Sequence, residues 1–450
     1  GSSLGLYFSK LNFKQHPSLK NHFMEKKMRK ATLVTALLLL AANTAWAQFA
    51  ESDPLDSTGF VQERLGKIDA VINAEIASGK IPGAVALVAR NGKIAYFKSF
   101  GFADIDAQTP MQKDSIFRLA SMTKAITSVA SMILYERGLF QLNDPVSKYI
   151  PEFADMQVVS EMDANGDVSA TVPAAAQIKI IDLFTHSSGI SYPFASNNVQ
   201  KSYVDAGVID GMTSRDITLA DQMKLLATQP LLFEPGSGYV YGLGLDLLGY
   251  LIEVVSGKPL DQFFTEEIFT PLNMQDSYFY LPNSKSDRLV TLYAEVGEEG
   301  LTVSRGHESN IILDNPRYPA GEIHSYFSGG AGVSSTAFDY SRFIQMLLNN
   351  GELDGSRILS RKSVDLMQSP RIDSSGDQIP DFGLGFEVIV DPAKVGELGS
   401  IGSYSWSGAF LTSYWIDPSE NLIAVFMSQV RPSQSDIRAK FNTMVYQALE

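Results

Sequence analysis

The sequence predicts an α/β fold: one antiparallel sheet assembled from both ends of the chain, with a mostly helical domain inserted between its two halves. Three observations predict it. Two strand-like runs joined by Asn91-Gly92 stand near the start of the globular part. Strand patterns return only after about residue 380. The long middle reads as helices and polar loops. Such a chain layers helices on a shared sheet and leaves a cleft where the insertion meets it. The expected divisions are a leader at 1–47, a sheet domain at 48–150 and 330–450, and a helical domain with cleft-lining loops at 151–329.

Each element has its own signal. Leu65, Ile68, Val71, Ile72 and Ile76 recur at helical spacing within residues 60–78. Ala84 to Arg90 and Lys93 to Ser99 are strand-like, and Asn91-Gly92 between them tolerates the positive φ of a tight hairpin. A helix is expected over Ile116 to Leu139, with Gly138 as its C-cap. Residues 155–230 and 283–325 are rich in Asn, Asp, Ser, Gly and Pro and read as loops with short helices. Helical patterns resume at Leu243 to Val255 and at Thr336 to Asn349. Phe382 to Val390, Tyr404 to Ile416 and Leu422 to Gln429 read as strands, with a turn at Asp417-Pro418. A last helix is expected over Ser435 to Leu449.

The N-terminus has the order of an export signal. Lys26, Lys27, Arg29 and Lys30 precede the apolar run Leu33 to Ala42, and Ala45-Trp46-Ala47 supplies a small-x-small cleavage pattern. Translation is expected to start at Met24 or Met28, and the mature chain to be periplasmic or secreted after cleavage near Ala47, without stable membrane insertion. The 450-residue chain carries a net charge of -14. That acidity repels phosphate backbones, so nucleic acid is not an expected partner. The absence of cysteine excludes disulfides, thiolate metal sites and a cysteine nucleophile. No cofactor or metal is expected, since neither a phosphate-cradling loop nor a metal-ligand spacing of histidines is present.

Ser121-Met122-Thr123-Lys124 is the only Ser-x-x-Lys in the chain. Alone it reads as a helix start with serine as N-cap. The flanks, Phe117-Arg118-Leu119-Ala120 and Ala125-Ile126-Thr127-Ser128-Val129-Ala130, are small and apolar nearly all round, so the helix should be buried. A lysine inside a buried helix is costly unless paired or neutral, and desolvation favours the free amine, a usable base. Spacing of three puts it on the same helix face as the serine. A second proton-handling group is expected to be a tyrosine. Tyr241 stands between the Pro235-Gly236 turn and a helix, and Tyr239 could share its face.

A Ser-His-Asp triad is the competing chemistry. The one Gly-x-Ser-x-Gly match is Gly1-Ser2-Ser3-Leu4-Gly5, with neither strand before it nor helix after it. His186, His307 and His324 are the histidines beyond the leader, and His186 reads as a hydrogen-bonded structural residue. Gly329-Gly330-Ala331-Gly332 reads as a tight turn into the helix from Thr336.

Taken together, the ordered pieces resemble the serine β-lactamase and penicillin-binding-protein-like superfamily, nearest its class C-like branch and the family VIII carboxylesterases. They are Pro82-Gly83-Ala84 with the hairpin, Ser121 to Lys124 with its flanks, Asp144 to Tyr149, Leu183 to Gly189, Pro235-Gly236, Tyr241 before Asp246-Leu247-Leu248-Gly249, Gly329 to Thr336, and Trp406-Ser407-Gly408. The resemblance spans roughly residues 60–448 and selects Tyr241 over Tyr239. It implies a sandwich plus a helical domain, the serine at the start of the central helix, and an acyl-enzyme on Ser121. It also implies an oxyanion hole formed by the N–H groups of Ser121 and Ala409.

Two departures bear on substrate. Where lactamases usually carry Tyr-x-Asn, the third position here is Leu243. Where they usually carry Lys-Thr-Gly, this chain has Trp406-Ser407-Gly408. Leu243, Trp406, Ser407 and Gly408 are therefore expected to line a site for a small neutral ester, since an aromatic wall suits apolar acyl groups. The expected activity is that of a short-chain carboxylesterase with side activity on cephalosporins. The alternatives are a β-lactamase or D-amino-acid peptidase acting on cell-wall fragments, and a catalytically inactive binding protein on the same scaffold. The oligomeric state is not readable from sequence.

Overall fold

The structure, a computed structural model, describes residues 58–213, 215–297, 300–306, 317–322, 324–371 and 381–450. The leader at 1–47 and His307 lie outside the described residues. β1 (Gly83–Arg90) and β2 (Lys93–Asp104) pair antiparallel. Asn91 and Gly92 between them take φ of 55° and 72°, the left-handed pair that a two-residue turn needs. β3 (Thr109–Pro110) closes one edge. The C-terminal part supplies β4 (Glu387–Val388), β5 (Tyr404–Gly408), β6 (Thr412–Asp417) and β7 (Leu422–Met427). The order is β4-β5-β6-β7-β1-β2-β3, and Val85 of β1 lies opposite Met427 of β7. One antiparallel sheet is thus built from both ends of the chain.

Alternation along the strands gives the sheet two apolar faces. Ala84, Ala86, Val88, Ala424 and Phe426 face α1 (Lys67–Ala77) and the C-terminal helix α5 (Ile437–Tyr446). Val85, Leu87, Ala89, Ile423, Val425 and Met427 face the other way. Against them packs α4 (Ala337–Leu348), and the same buried core holds α2 (Thr123–Glu136) and α3 (Gly244–Ser256), which pack on each other. Every residue of α2 from Thr123 to Leu134 is buried. Each large aliphatic side chain so buried contributes about 1.5–3 kcal/mol. The same core continues through Leu183, Phe184, Leu247 and Leu251, and residues 49–450 form one compact unit. No helix of the described residues is long and apolar enough to cross a membrane.

Five local expectations are corrected. The stretch before Ser121 is extended rather than helical, because Phe117–Arg118 pairs with Ser334–Ser335. Ala120 then takes φ 47°, a conformation outside the right-handed helix, and α2 begins only after a 3₁₀ turn at Ala120–Met122. The first helix breaks at Gly66. Of the strand expected over Phe382 to Val390, only β4 forms. Gly385, at φ 101°, passes so close to α2 that a Cβ would stand 2.1 Å from Ser128 Oγ. The run Tyr404 to Ile416 is two strands, turned at Ala409–Leu411 with Leu411 at φ 68°. That turn is apolar, so nothing in its composition announces it. The loop-rich middle also contains a hairpin that its composition does not announce, Gln157–Met162 with Val168–Pro173.

Gly408, at the end of β5, locks the sheet to the turn that carries Ser121. A Cβ there would stand 2.2 Å from the Leu119 carbonyl oxygen and 2.2 Å from Thr412 Oγ1. Gly408→Ala should therefore force two backbone segments apart and destabilise the fold by about 1–3 kcal/mol. Thermal unfolding measures it, and an unchanged Tm would show that β5 has slack at this point.

Candidate active site

The site is assembled around the fully buried Lys124. Ser121 sits on the 3₁₀ turn, partly exposed, and Lys124 lies one turn into the helix. Lys124 Nζ is 3.4 Å from Ser121 Oγ. It is also 2.8 Å from Tyr192 Oη and 2.8 Å from the Gly330 carbonyl oxygen. A neutral amine has two hydrogens and one lone pair. Tyr192 and Gly330 take two of the nitrogen's bonding directions and leave a third toward the serine hydroxyl, where an uncharged amine would present its lone pair. That arrangement can accept the serine proton.

The acceptors are themselves fixed. Gly330 lies in the turn that follows Ser328, and Thr127 Oγ1 donates to the neighbouring Gly329 carbonyl at 2.5 Å. Asp246, fully buried on α3, accepts from Ser328 Oγ at 2.5 Å. Its second oxygen lies so close to Gly330 that a Cβ there would stand 2.3 Å away. Burial pushes the Asp246 carboxyl above its usual range, and the charge of Lys124 opposes that rise. Burial, and then the neighbouring Tyr241 and Asp246, hold the Tyr192 phenol well above its ordinary range, so it remains protonated.

Tyr241 is brought to the same place. Its ring centroid is 4.7 Å from Lys124 Nζ, and its hydroxyl accepts from Trp406 Nε1 at 3.3 Å. Tyr239 instead packs near His186 and Phe382. His186 supports the tyrosine from beneath, with ring centroids 4.6 Å apart. Its Nδ1 accepts the Gly242 N–H at 3.4 Å. Burial, and then Lys124, lower its pKa well below the usual value and keep the imidazole neutral. His324 lies apart, exposed, with Nε2 2.7 Å from the Gly321 carbonyl.

The residues expected at the substrate divide. Trp406 faces the site, 5.5 Å from the Tyr241 ring and 5.2 Å from Phe382. Ser407 pairs with Ser413 across the strands and borders a cavity of about 390 Å³ next to α5. Ala409 is the first residue of the β5–β6 turn, beside Ala120 and Phe410. Two expectations are corrected. Leu243 is completely buried in the core at the head of α3, so it does not line a cleft. Gly408 is buried against the Leu119 carbonyl. The Leu243 side chain is taken up by the core and the Gly408 backbone by its contact with Leu119, so neither leaves a surface for a ligand.

Sequence reasoning passes over Tyr192, Asp246 and the Gly330 carbonyl as groups of the site. Tyr192 is one of eighteen tyrosines, and no spacing relative to Ser121 marks it. Its one signal is its place three residues after the Leu183 to Gly189 stretch. Asp246 stands in a motif that carries the resemblance, but only as a landmark for Tyr241.

Comparison with known proteins follows the same lines. Residues 68–447 match the protein family described as Beta-lactamase. Esterase EstB of Burkholderia gladioli is 31% identical over 392 residues, 83% of this chain and 93% of that protein. Lovastatin esterase of Penicillium rubens is 32% identical over 400 residues, 83% of this chain and 95% of its own. The solved structure of EstCE1, described as a hydrolase with promiscuous acyltransferase activity, matches with a TM-score of 0.74 at 28% identity. That match covers 85% of this chain and 99% of EstCE1.

The Tyr192 hydroxyl holds the amine, so its loss should leave Lys124 less well aimed. Tyr192→Phe is expected to lower kcat on an ester by about tenfold while KM changes little. Equal kcat in variant and wild type would show that Gly330 alone suffices to place the lysine.

Proposed function

This chain belongs to the beta-lactamase family and is a serine hydrolase, and from that premise we propose that it is a carboxylesterase cleaving short, neutral esters through an acyl-enzyme on Ser121. The observation that carries the ester reading is the aromatic wall. Trp406 donates to the Tyr241 hydroxyl and packs on Phe382, at the place where a lactamase usually carries a cation for its substrate's carboxylate. An apolar acyl group gains from such a wall, whereas an anionic peptide or lactam finds no charge there.

The proximity of Ser121, Lys124 and Tyr241 supports the following steps. Lys124 Nζ takes the Ser121 proton as Oγ attacks the ester carbonyl. The Ser121 and Ala409 N–H groups hold the resulting oxyanion. As the tetrahedral intermediate collapses, the proton reaches the departing alkoxide by way of the Tyr241 hydroxyl, and the alcohol leaves. Water then attacks the acyl-serine, gives its proton back through the same groups, and releases the acid. We also propose that the chain acts outside the cytoplasm after cleavage near Ala47. Intact-mass analysis of protein from the periplasmic fraction tests that, and a mass retaining residues 24–47 would refute it.

Ser121→Ala should abolish hydrolysis of p-nitrophenyl esters with circular dichroism unchanged. A phosphonate should add once, to the peptide containing Ser121. Lys124→Ala and Tyr241→Phe should each lower kcat on the order of a hundredfold or more, and the two losses should not add if the groups form one relay. A Tyr241→Phe protein with normal turnover beside an inert Tyr239→Phe protein would transfer the role to Tyr239. For substrate choice, kcat/KM on a neutral C2 to C6 ester should exceed that on any penicillin by at least about a thousandfold, roughly 4 kcal/mol. Trp406→Lys should narrow that gap. A wild type equally fast on penicillins would favour a lactamase instead.

A further inference from the structure

Arg438 is a cation in a costly place. It stands in the first turn of α5, the end of a helix whose dipole disfavours positive charge. Burial, and then the neighbouring Arg431, push its pKa down to about 10. Its Nε is buried without a hydrogen-bond partner, and so is that of Arg431. No carboxylate pairs with it among the described residues. Burial, the helix dipole and a second cation all act against this guanidinium, and no ion pair offsets them.

What it does hold is a peptide group. Arg438 Nη2 donates to the Gly408 carbonyl oxygen at 3.0 Å. That carbonyl belongs to the peptide unit whose N–H is Ala409's. A peptide is planar and resonance-coupled, so a cation on its oxygen fixes the plane and raises the polarity of its N–H. The same peptide is pinned on its other side, where Gly408 abuts the Leu119 carbonyl, two residues before Ser121. On the reading that Ala409 N–H binds the oxyanion, we propose that Arg438 is a positioning residue of the oxyanion hole. It orients and polarises the Gly408–Ala409 peptide from behind the strand. The oxyanion of the tetrahedral intermediate adds negative charge across that peptide only while the intermediate lasts, which is the condition for stabilising a transition state rather than a substrate.

The test compares Arg438→Met, which removes the charge and keeps the bulk, with Arg438→Lys, which restores it. The readouts are kcat and KM on p-nitrophenyl acetate and the affinity of a trifluoromethyl ketone, which forms a tetrahedral oxyanion adduct with a serine. Arg438→Met should lose about tenfold in kcat, a fraction of the hundredfold or more that an entire oxyanion donor is worth. KM should stay nearly constant, and ketone affinity should fall by the same factor. Arg438→Lys should recover most of both. If the methionine variant does not fold, Arg438→Gln supplies the uncharged comparison.

An active wild type matched by the uncharged variant overturns this inference and leaves the esterase reading standing. So does a loss confined to KM for an ester with an anionic acyl chain, which would mean that the guanidinium grips substrate directly. Equal losses in the methionine and lysine variants, with a lowered Tm and unaltered ketone affinity, would reduce Arg438 to packing. A wild type that neither hydrolyses the ester nor binds the ketone overturns the esterase reading, and this inference with it.

Discussion

The site depends on keeping a lysine amine out of water. Burying an amine without partners costs several kcal/mol, and Lys124 has no exposed surface at all. The chain meets that cost with oxygens from segments far apart in sequence, the Tyr192 hydroxyl and the Gly330 carbonyl. The Tyr241 ring covers what remains. The residues before and between Tyr192 and Gly330 supply scaffolding for these groups. Leu183 and Leu247 pack in the core beside α2, and Asp246 fixes the turn that presents Gly330. A helix without a lysine could be buried here with none of this apparatus.

A second constraint acts on the backbone. Ala120 in the left-handed region carries about 1–3 kcal/mol of strain and turns the chain from an extended strand into α2. The strain persists because both sides are tied down. Leu119 N–H donates to the Val333 carbonyl at 3.0 Å, and Tyr340 Oη donates to the Met122 carbonyl at 3.0 Å. Gly408 closes the gap from the sheet side. Serine, lysine and the β5–β6 turn thus owe their relative placement to main-chain contacts, which side-chain patterns do not encode.

The same split between side chain and main chain separates what is legible in the sequence from what is not. Ser121 and Lys124 stand out because packing alone gives no reason to bury a lysine one turn after a serine in an apolar helix. The hairpin at Asn91-Gly92 is legible because its turn chemistry is local. Tyr241 needs the resemblance to a family, since many tyrosines precede helices. The Gly330 carbonyl is illegible in principle, as every residue has one. Leu243 is misplaced by sequence reasoning because an apolar residue at a helix head can face either cleft or core, and only the packing of α3 decides. The turn at Ala409–Leu411 is hidden for a related reason. Its apolar side chains continue the strand pattern, while Val430 N–H reaches the Phe410 carbonyl at 3.2 Å and holds the bend.

The pairing of β1 with β7 also sets the order in which the protein can be made. Val85 and Met427 face each other across the sheet although about 340 residues separate them. Closing so long a loop costs about 5 kcal/mol in chain entropy by ideal-chain scaling, and such non-local pairing slows folding. A nascent chain that has already synthesised Ser121 and Lys124 still lacks β5, β6 and β7, and with them Gly408 against Leu119 and the turn beside the serine. Ser121 and Lys124 therefore wait, without their surroundings, until β7 has been translated, more than 290 residues after the lysine.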